Sequence, residues 1–325
     1  MSTRQKGTEK KLPHQAIRPL LFIPLALLAC LLVLPSCKKN TPPDYKIYQN
    51  MGNYMKAKLE AAGATVRKDM PDKFAPDVDY IKRLGPLLKL VFGSSKLQVY
   101  LQSYESDSIA VGSISQFEAP PRSDNYTDCA FLVRSVASIG APVMHGDKRA
   151  PMSGSSDGFA MDFYNYDNAS IDVDTFFGSA GIAKLTEAMA LVEKYQVPEL
   201  DEKGDRDRGH LTAYLDPYKS PYRLELAAPE TDNETARKAY FDNVLQAFEM
   251  YQDAYFAALD NTTQDNDGDI VQGRATAAAA FMTLFDVNDI AVKLGRLLFG
   301  KTDFPLYFSQ GFWREGFYGS DNTTE

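Results

Sequence analysis

Hydrophobic residues recur at two periods along this chain, and the switch between them marks its regions. From Lys46 to Ala62, Ile47, Met51, Tyr54, Met55 and Leu59 fall on one face at helical spacing, and Gly63 follows as a stop. A second helix is predicted from Asp77 to Phe92, with Val78, Ile81, Leu84, Leu88 and Val91 in phase and Pro86 as a kink. The period then shortens to two. Leu97, Val99 and Leu101 alternate with Gln98, Tyr100 and Gln102, which predicts a half-buried strand. Ile109 to Phe117 predicts its hairpin partner across Glu105-Ser106-Asp107. A helix is expected from Asp124 or Thr127 to Ile139, ended by Gly140 and Pro142.

Residues 141–178 begin rich in Gly, Pro, Ser and Asp. Phe159 to Tyr166 and Ile171 to Phe177 read as short strands, and Ser179 as the cap of a helix to Tyr195. That helix carries Ile182, Leu185, Met189 and Val192 on one stripe. Residues 196–233 are polar and irregular, with the alternating charges of Asp201 to Arg208 and a short strand at Arg223 to Leu226. Thr231 and Glu234 have capping-box spacing ahead of a long helix to Leu259. Ile270 to Phe299 reads as its partner, with Ala277 to Ala280 allowing close backbone approach. The tail from Phe304 to Tyr318 is aromatic and holds the one tryptophan, Trp313. So much apolar surface must pack back on the body or meet a partner.

These elements predict an α+β fold, predominantly helical, with a small antiparallel β section in the middle and a C-terminal antiparallel helical hairpin. The expected organisation is a leader at 1–36, a tether at 37–44, a mixed α/β region at 45–195 and a linker or loop at 196–233. The hairpin and its aromatic tail, 234–325, would pack on the preceding region as one domain.

The front of the chain follows a different logic. Arg4, Lys6, Lys10, Lys11 and Arg18 face one acid, Glu9, before an apolar run from Leu20 to Leu34. That run is shorter than the roughly 20 residues a spanning helix needs, so it reads as a signal peptide. It ends in Leu34-Pro35-Ser36-Cys37, which resembles the lipobox of bacterial lipoproteins. The resemblance implies cleavage before Cys37, diacylation of its sulfur and stable attachment to a membrane. Lys38 follows the cysteine where an Asp would signal inner-membrane retention, which implies the outer membrane, facing the periplasm or the surface. Leu27-Leu28-Ala29-Cys30 also fits the pattern, and an uncleaved anchor is a third reading.

Charge and cysteine content narrow the chemistry. The chain has a net charge of −8; the leader holds five basic residues and one acid, so the remainder carries −12. Such a domain is repelled by phosphate backbones, so no nucleic-acid partner is expected. Beyond the leader and Cys37, Cys129 stands alone, and its apolar setting reads as a buried small hydrophobe. Past His14 in the leader the only histidines are His145 and His210, which excludes a His-rich metal site.

Three patterns could carry chemistry. Asp265-Asn266-Asp267-Gly268-Asp269 resembles part of an EF-hand, making Asp265, Asp267 and Asp269 weak calcium candidates. Thr263 and Arg274 stand where the two end ligands belong, which favours a plain acidic turn. Gly154-Ser155-Ser156-Asp157-Gly158 matches a nucleophile elbow, with Ser156 as nucleophile and His210, spaced from Asp207, as base. Its flanks lack the strand and helix that motif requires, so a flexible Ser/Gly loop is the simpler reading. Asp172 and Asp174 would share a strand face as paired carboxylates, or sit solvated at an edge.

The C-terminal elements resemble the YiiG-like family of bacterial lipoproteins. The similar features are Tyr240, Tyr251 and Tyr255 on one helix, the acidic loop from Asp265 to Asp269, and Gly273-Arg274-Ala275 leading to Ala280-Phe281. The family is helical and functionally uncharacterised, so the resemblance implies no active site. The expected function is a non-enzymatic binding or interaction module, anchored in the membrane, for an envelope protein or a small-molecule ligand. A serine-type or carboxylate-based hydrolase is the alternative.

Overall fold

A computed structural model describes residues 47–70, 72–74, 80–86, 89, 96–118, 127–149, 158–197, 213–229, 231, 233–288 and 290–313. Its scaffold is one antiparallel sheet of eight strands: β1 (Thr65–Val66), β2 (Tyr80–Arg83), β3 (Lys96–Glu105), β4 (Ile109–Glu118), β5 (Thr127–Ser135), β6 (Val143–Arg149), β7 (Gly158–Tyr164) and β8 (Leu224–Ala227). From β3 to β8 each strand pairs with its neighbour in sequence, while β1 and β2 share the outer edge of β3. The fold is therefore not a helical body with a small β section. The sheet is large and central, and this corrects the expected fold class.

Helices cover both faces. On one face lie α1 (Ile47–Ala61), α2 (Val173–Val192) and α3 (Glu234–Asn261), whose Met55, Leu185 and Phe248 join Phe131, Val133 and Phe163 of the sheet in one core. On the other lie α4 (Gly268–Asn288), α5 (Ile290–Pro305) and a π-helical segment, Leu306–Trp313. Their Phe281, Phe299 and Trp313 join Leu101, Leu132 and Tyr164 in a second core. Strand side chains alternate between the two cores, as the pleat requires. The expected hairpin of α3 and α4 is thus also corrected: the two helices pack on opposite faces of the sheet, and 262–267 carries the chain from one side to the other.

Several local readings change with this frame. Thr127–Ser135 is a strand, not a helix, and Tyr80–Arg83 is extended within the second predicted helix. Val143–Arg149 is a strand in a stretch that reads as irregular. Asp172 caps α2 by accepting from the Thr175 amide at 2.7 Å, so it does not pair with Asp174 on a strand. Within α2, Gly178 breaks the helix at a φ of 59°, which glycine adopts without strain, so a helical run does restart at Ser179. Asn233 caps α3 in place of Thr231. The long helix predicted from Ile270 to Phe299 is two elements, and Gly300 turns α5 at a φ of 78°. No helix among the described residues is long and apolar enough to cross a membrane.

Candidate functional site

The second face of the sheet carries polar side chains where a core would be apolar. Two cross-strand rows define it. Ser115, Ala130, Asp147, Ala160 and Glu225 follow one another as Cα partners from β4 to β8. Ser113, Leu132, His145 and Asp162 form the next row. Ala130 and Ala160 keep the first row low, so a cavity opens above them, floored by Ser115, Asp147, His145 and Asp162.

The roof is aromatic. Phe285 comes from α4, Phe299 and Phe304 from α5, and Tyr307, Phe308, Phe312 and Trp313 from the π-helical segment. Leu215, Lys219 and Arg223 line the side near β8. The space among these side chains, its open mouth included, is about 1030 Å³. Two serines of β4 fasten the roof. Ser113 Oγ donates to the Phe312 carbonyl at 2.7 Å, and Ser115 Oγ shares a short hydrogen bond with the Tyr307 hydroxyl. Asp303 ties α5 to the sheet edge, accepting from Lys73 Nζ and Tyr80 Oη, each at 2.6 Å.

Asp162 is the unusual group. It is 2 % exposed. Its Oδ1 accepts from the Ser220 hydroxyl at 2.6 Å, the Ser220 amide at 3.1 Å and the Phe163 amide at 2.7 Å. Its Oδ2 has no hydrogen-bond partner among the described residues. Burial pushes the Asp162 carboxyl up to about 6, and these hydrogen bonds offset only part of the rise. His145 stands opposite it on β6, with its ring parallel to the Trp313 indole (6.2 Å between centroids, 13°). Trp313 is 1 % exposed, and its Nε1 donor has no partner either. Asp162 and Trp313 both line the cavity, and this acceptor and this donor are both withheld from water. Lys219 and Arg223 bring positive charge to the side, each already paired, with Asp216 and Glu225.

Of the candidate residues singled out in the sequence, none that is described lines this cavity. Cys37 and Cys30, Ser156, and Asp207 with His210 all fall outside the described residues. Gly158, which closes the Gly-rich motif, opens β7, where an elbow needs a helix. Asp265 Oδ2 accepts from Arg274 Nη1 at 2.5 Å, and Asp267 Oδ1 accepts from the Asp269 amide at 2.9 Å. Among the described residues no group of three or more acids, His or Cys is placed to hold a metal ion, and Asp265 and Asp267 are engaged within an arginine-closed turn. Asp174, in the first turn of α2, accepts from the Tyr222 hydroxyl at 2.6 Å. Cys129 is fully buried in the first core. Sequence reasoning missed Asp162 and gave no role to His145. The available signal was one acid inside Phe159-Ala160-Met161-Asp162-Phe163, a charge where two-sided burial leaves no room for one.

No family model and no curated protein matches this chain. Among solved structures, phytochromobilin synthase from tomato, crystallised in complex with biliverdin, is similar. The match covers 81 % of this chain and 80 % of that one, with a TM-score of 0.58 and 9 % identity. At that identity the likeness shows the fold: a central antiparallel sheet between helical layers.

Proposed function

We propose that this protein binds a planar, largely apolar small molecule in the cavity between the sheet and its α4–α5 roof. One observation carries the reading. An aromatic-lined space is bordered by Asp162 and Trp313, whose buried Oδ2 and Nε1 find no hydrogen-bond partner among the described residues. Such atoms cost about 1–3 kcal/mol each when they find no partner, and a ligand with matching groups would recover that. The ligand class we put forward is an open-chain tetrapyrrole, because the tomato protein of similar fold was crystallised with biliverdin. Flat conjugated rings suit the aromatic roof, and polar edges suit the His145–Asp162 wall.

Titration of the full chain with biliverdin tests this, read by bilin absorbance and by quenching of Trp313 fluorescence. Saturable one-to-one binding is expected. No binding at about 100 μM biliverdin, a concentration that reveals affinities down to about 5.5 kcal/mol, overturns the tetrapyrrole assignment.

A second reading has its own observation. A buried carboxyl that titrates near neutrality, with a histidine opposite, suits proton donation to a bound molecule. If Asp162 donates, the spectrum of bound biliverdin changes with pH in the wild type and not in Asp162→Asn. Identical profiles leave the site a binding site only.

We propose further that the module is held at the cell envelope through lipidated Cys37, on the strength of the lipobox resemblance. Cys37→Ser should then lose both fatty-acid labelling and membrane fractionation. Loss on Cys30→Ser instead would move the site.

A further inference from the structure

We infer that Trp313 is the residue through which the cavity reads a neutral carbonyl oxygen of its ligand. The inference rests on the cavity reading above and adds the ligand's functional group. Trp313 is the chain's only tryptophan, and its indole N–H is a donor that cannot accept. It belongs to a side chain that lines the cavity and is nearly fully buried, and it has no partner among the described residues. The parallel His145 ring on one side and Phe285 on another, 5.1 Å away, fix the indole plane, so the donor's direction is set before anything binds.

The surroundings choose between oxygen types. Phe308 and Phe312 stand 5.7 and 5.4 Å from the indole. The cavity's basic side chains, Lys219 and Arg223, are engaged with Asp216 and Glu225. A carboxylate placed against the indole would be desolvated among aromatic rings, which is costly without a paired cation. A carbonyl oxygen accepts the same hydrogen bond without that cost. Lactams and quinones are two planar sources of it.

Three probes separate the outcomes: biliverdin with lactam carbonyls, menadione with quinone carbonyls, and N-phenyl-1-naphthylamine with none. Calorimetry on the full chain and on Trp313→Phe gives the affinities. Loss of one hydrogen bond should weaken a carbonyl probe about tenfold in Trp313→Phe, while the naphthylamine binds both proteins alike. Loss for biliverdin alone assigns a lactam, and loss for menadione alone a quinone. A second measurement needs no variant: the single indole N–H resonance of the wild type should move downfield with the probe that binds. Equal carbonyl-probe affinity in Trp313→Phe overturns the inference. Naphthylamine binding without either carbonyl probe overturns it too, and leaves the cavity reading standing. Failure of all three on the wild type removes both.

Discussion

Ser220 holds Asp162 by two hydrogen bonds to one oxygen, its hydroxyl at 2.6 Å and its amide at 3.1 Å. The pairing sets a pH dependence. The folded carboxyl titrates at about 6, against 3.8 for the free group, so the folded state binds the extra proton between those values. Its contribution is therefore complete below about pH 4 and is lost as pH rises through 6, a total of about 3 kcal/mol. Asp162→Asn removes this loss. In urea unfolding from pH 4 to 8, the variant should gain on the wild type as pH rises. Ser220→Ala should move the wild-type loss to higher pH, because a bond favouring the charged form is gone. Parallel profiles for all three proteins would show that Asp162 does not titrate in this window.

Asp253 carries the opposite sign. Burial pushes its carboxyl up, but hydrogen bonds from Lys184, Lys58 and Tyr54 outweigh that and hold it at about 2. Its contribution is present above about pH 4 and disappears as pH falls through 2. The cluster joins α1, α2 and α3 through Tyr54 Oη at 2.6 Å and Lys184 Nζ at 2.6 Å. It is partly open to solvent, so we expect Asp253→Asn to cost about 1 kcal/mol at pH 7. The difference from the wild type should close toward pH 2. Thermal melts across that range decide it, and an undiminished gap at pH 2 would contradict the assignment.

Gly295 faces Phe304 across the Gly300 turn within α5, and a Cβ there would overlap the Phe304 ring. The ring is 1 % exposed and lines the cavity, so it cannot swing to solvent. Gly295→Ala should destabilise the protein by about 1–3 kcal/mol, the usual range for overpacking. It should also weaken biliverdin binding, since the displaced ring enters the cavity. Unchanged binding in a folded variant would separate the roof from the site.

Arg274 closes the 262–267 crossing. Its guanidinium donates to Asp265 at 2.5 Å, to Ser170 Oγ at 2.9 Å and to the Ser170 carbonyl at 3.2 Å. Arg274→Ala should cost about 2 kcal/mol, the loss of charge-assisted hydrogen bonds from a buried group. Calcium at about 5 mM, enough to load weak extracellular-type sites, should leave the wild-type Tm where it is. A calcium-dependent rise would reinstate the acidic loop as an ion site.

The sequence carried much of this architecture where one face of an element meets water. The alternation of Leu97, Val99 and Leu101 marked β3, and the helical stripes marked α1, most of α2, and α3, because half-exposed elements keep their period. β5 hid for the opposite reason. Its run from Cys129 to Ser135 is buried on both faces save for half-buried Ala130, so no alternation survives to separate strand from helix. β6 hid because His145 and Asp147 face the cavity, and polar residues in a central strand look like a loop.

The separation of α3 from α4 was beyond any local pattern. Two amphipathic helices joined by six residues, 262–267, read as a hairpin, and only the sheet between them shows that each apolar face has a different partner. The candidate site follows the same rule. Local periodicity and the lipobox resemblance are written in neighbouring residues, so the chain alone carries most elements and raises the expectation of an anchor. Asp162, His145 and Trp313 are scattered over the chain, and what joins them is strand register and the fold of α5 and the π-helical segment back onto the sheet. Burial, the force that raises Asp162 and strands the Trp313 N–H, exists only once both helical layers have closed over the sheet.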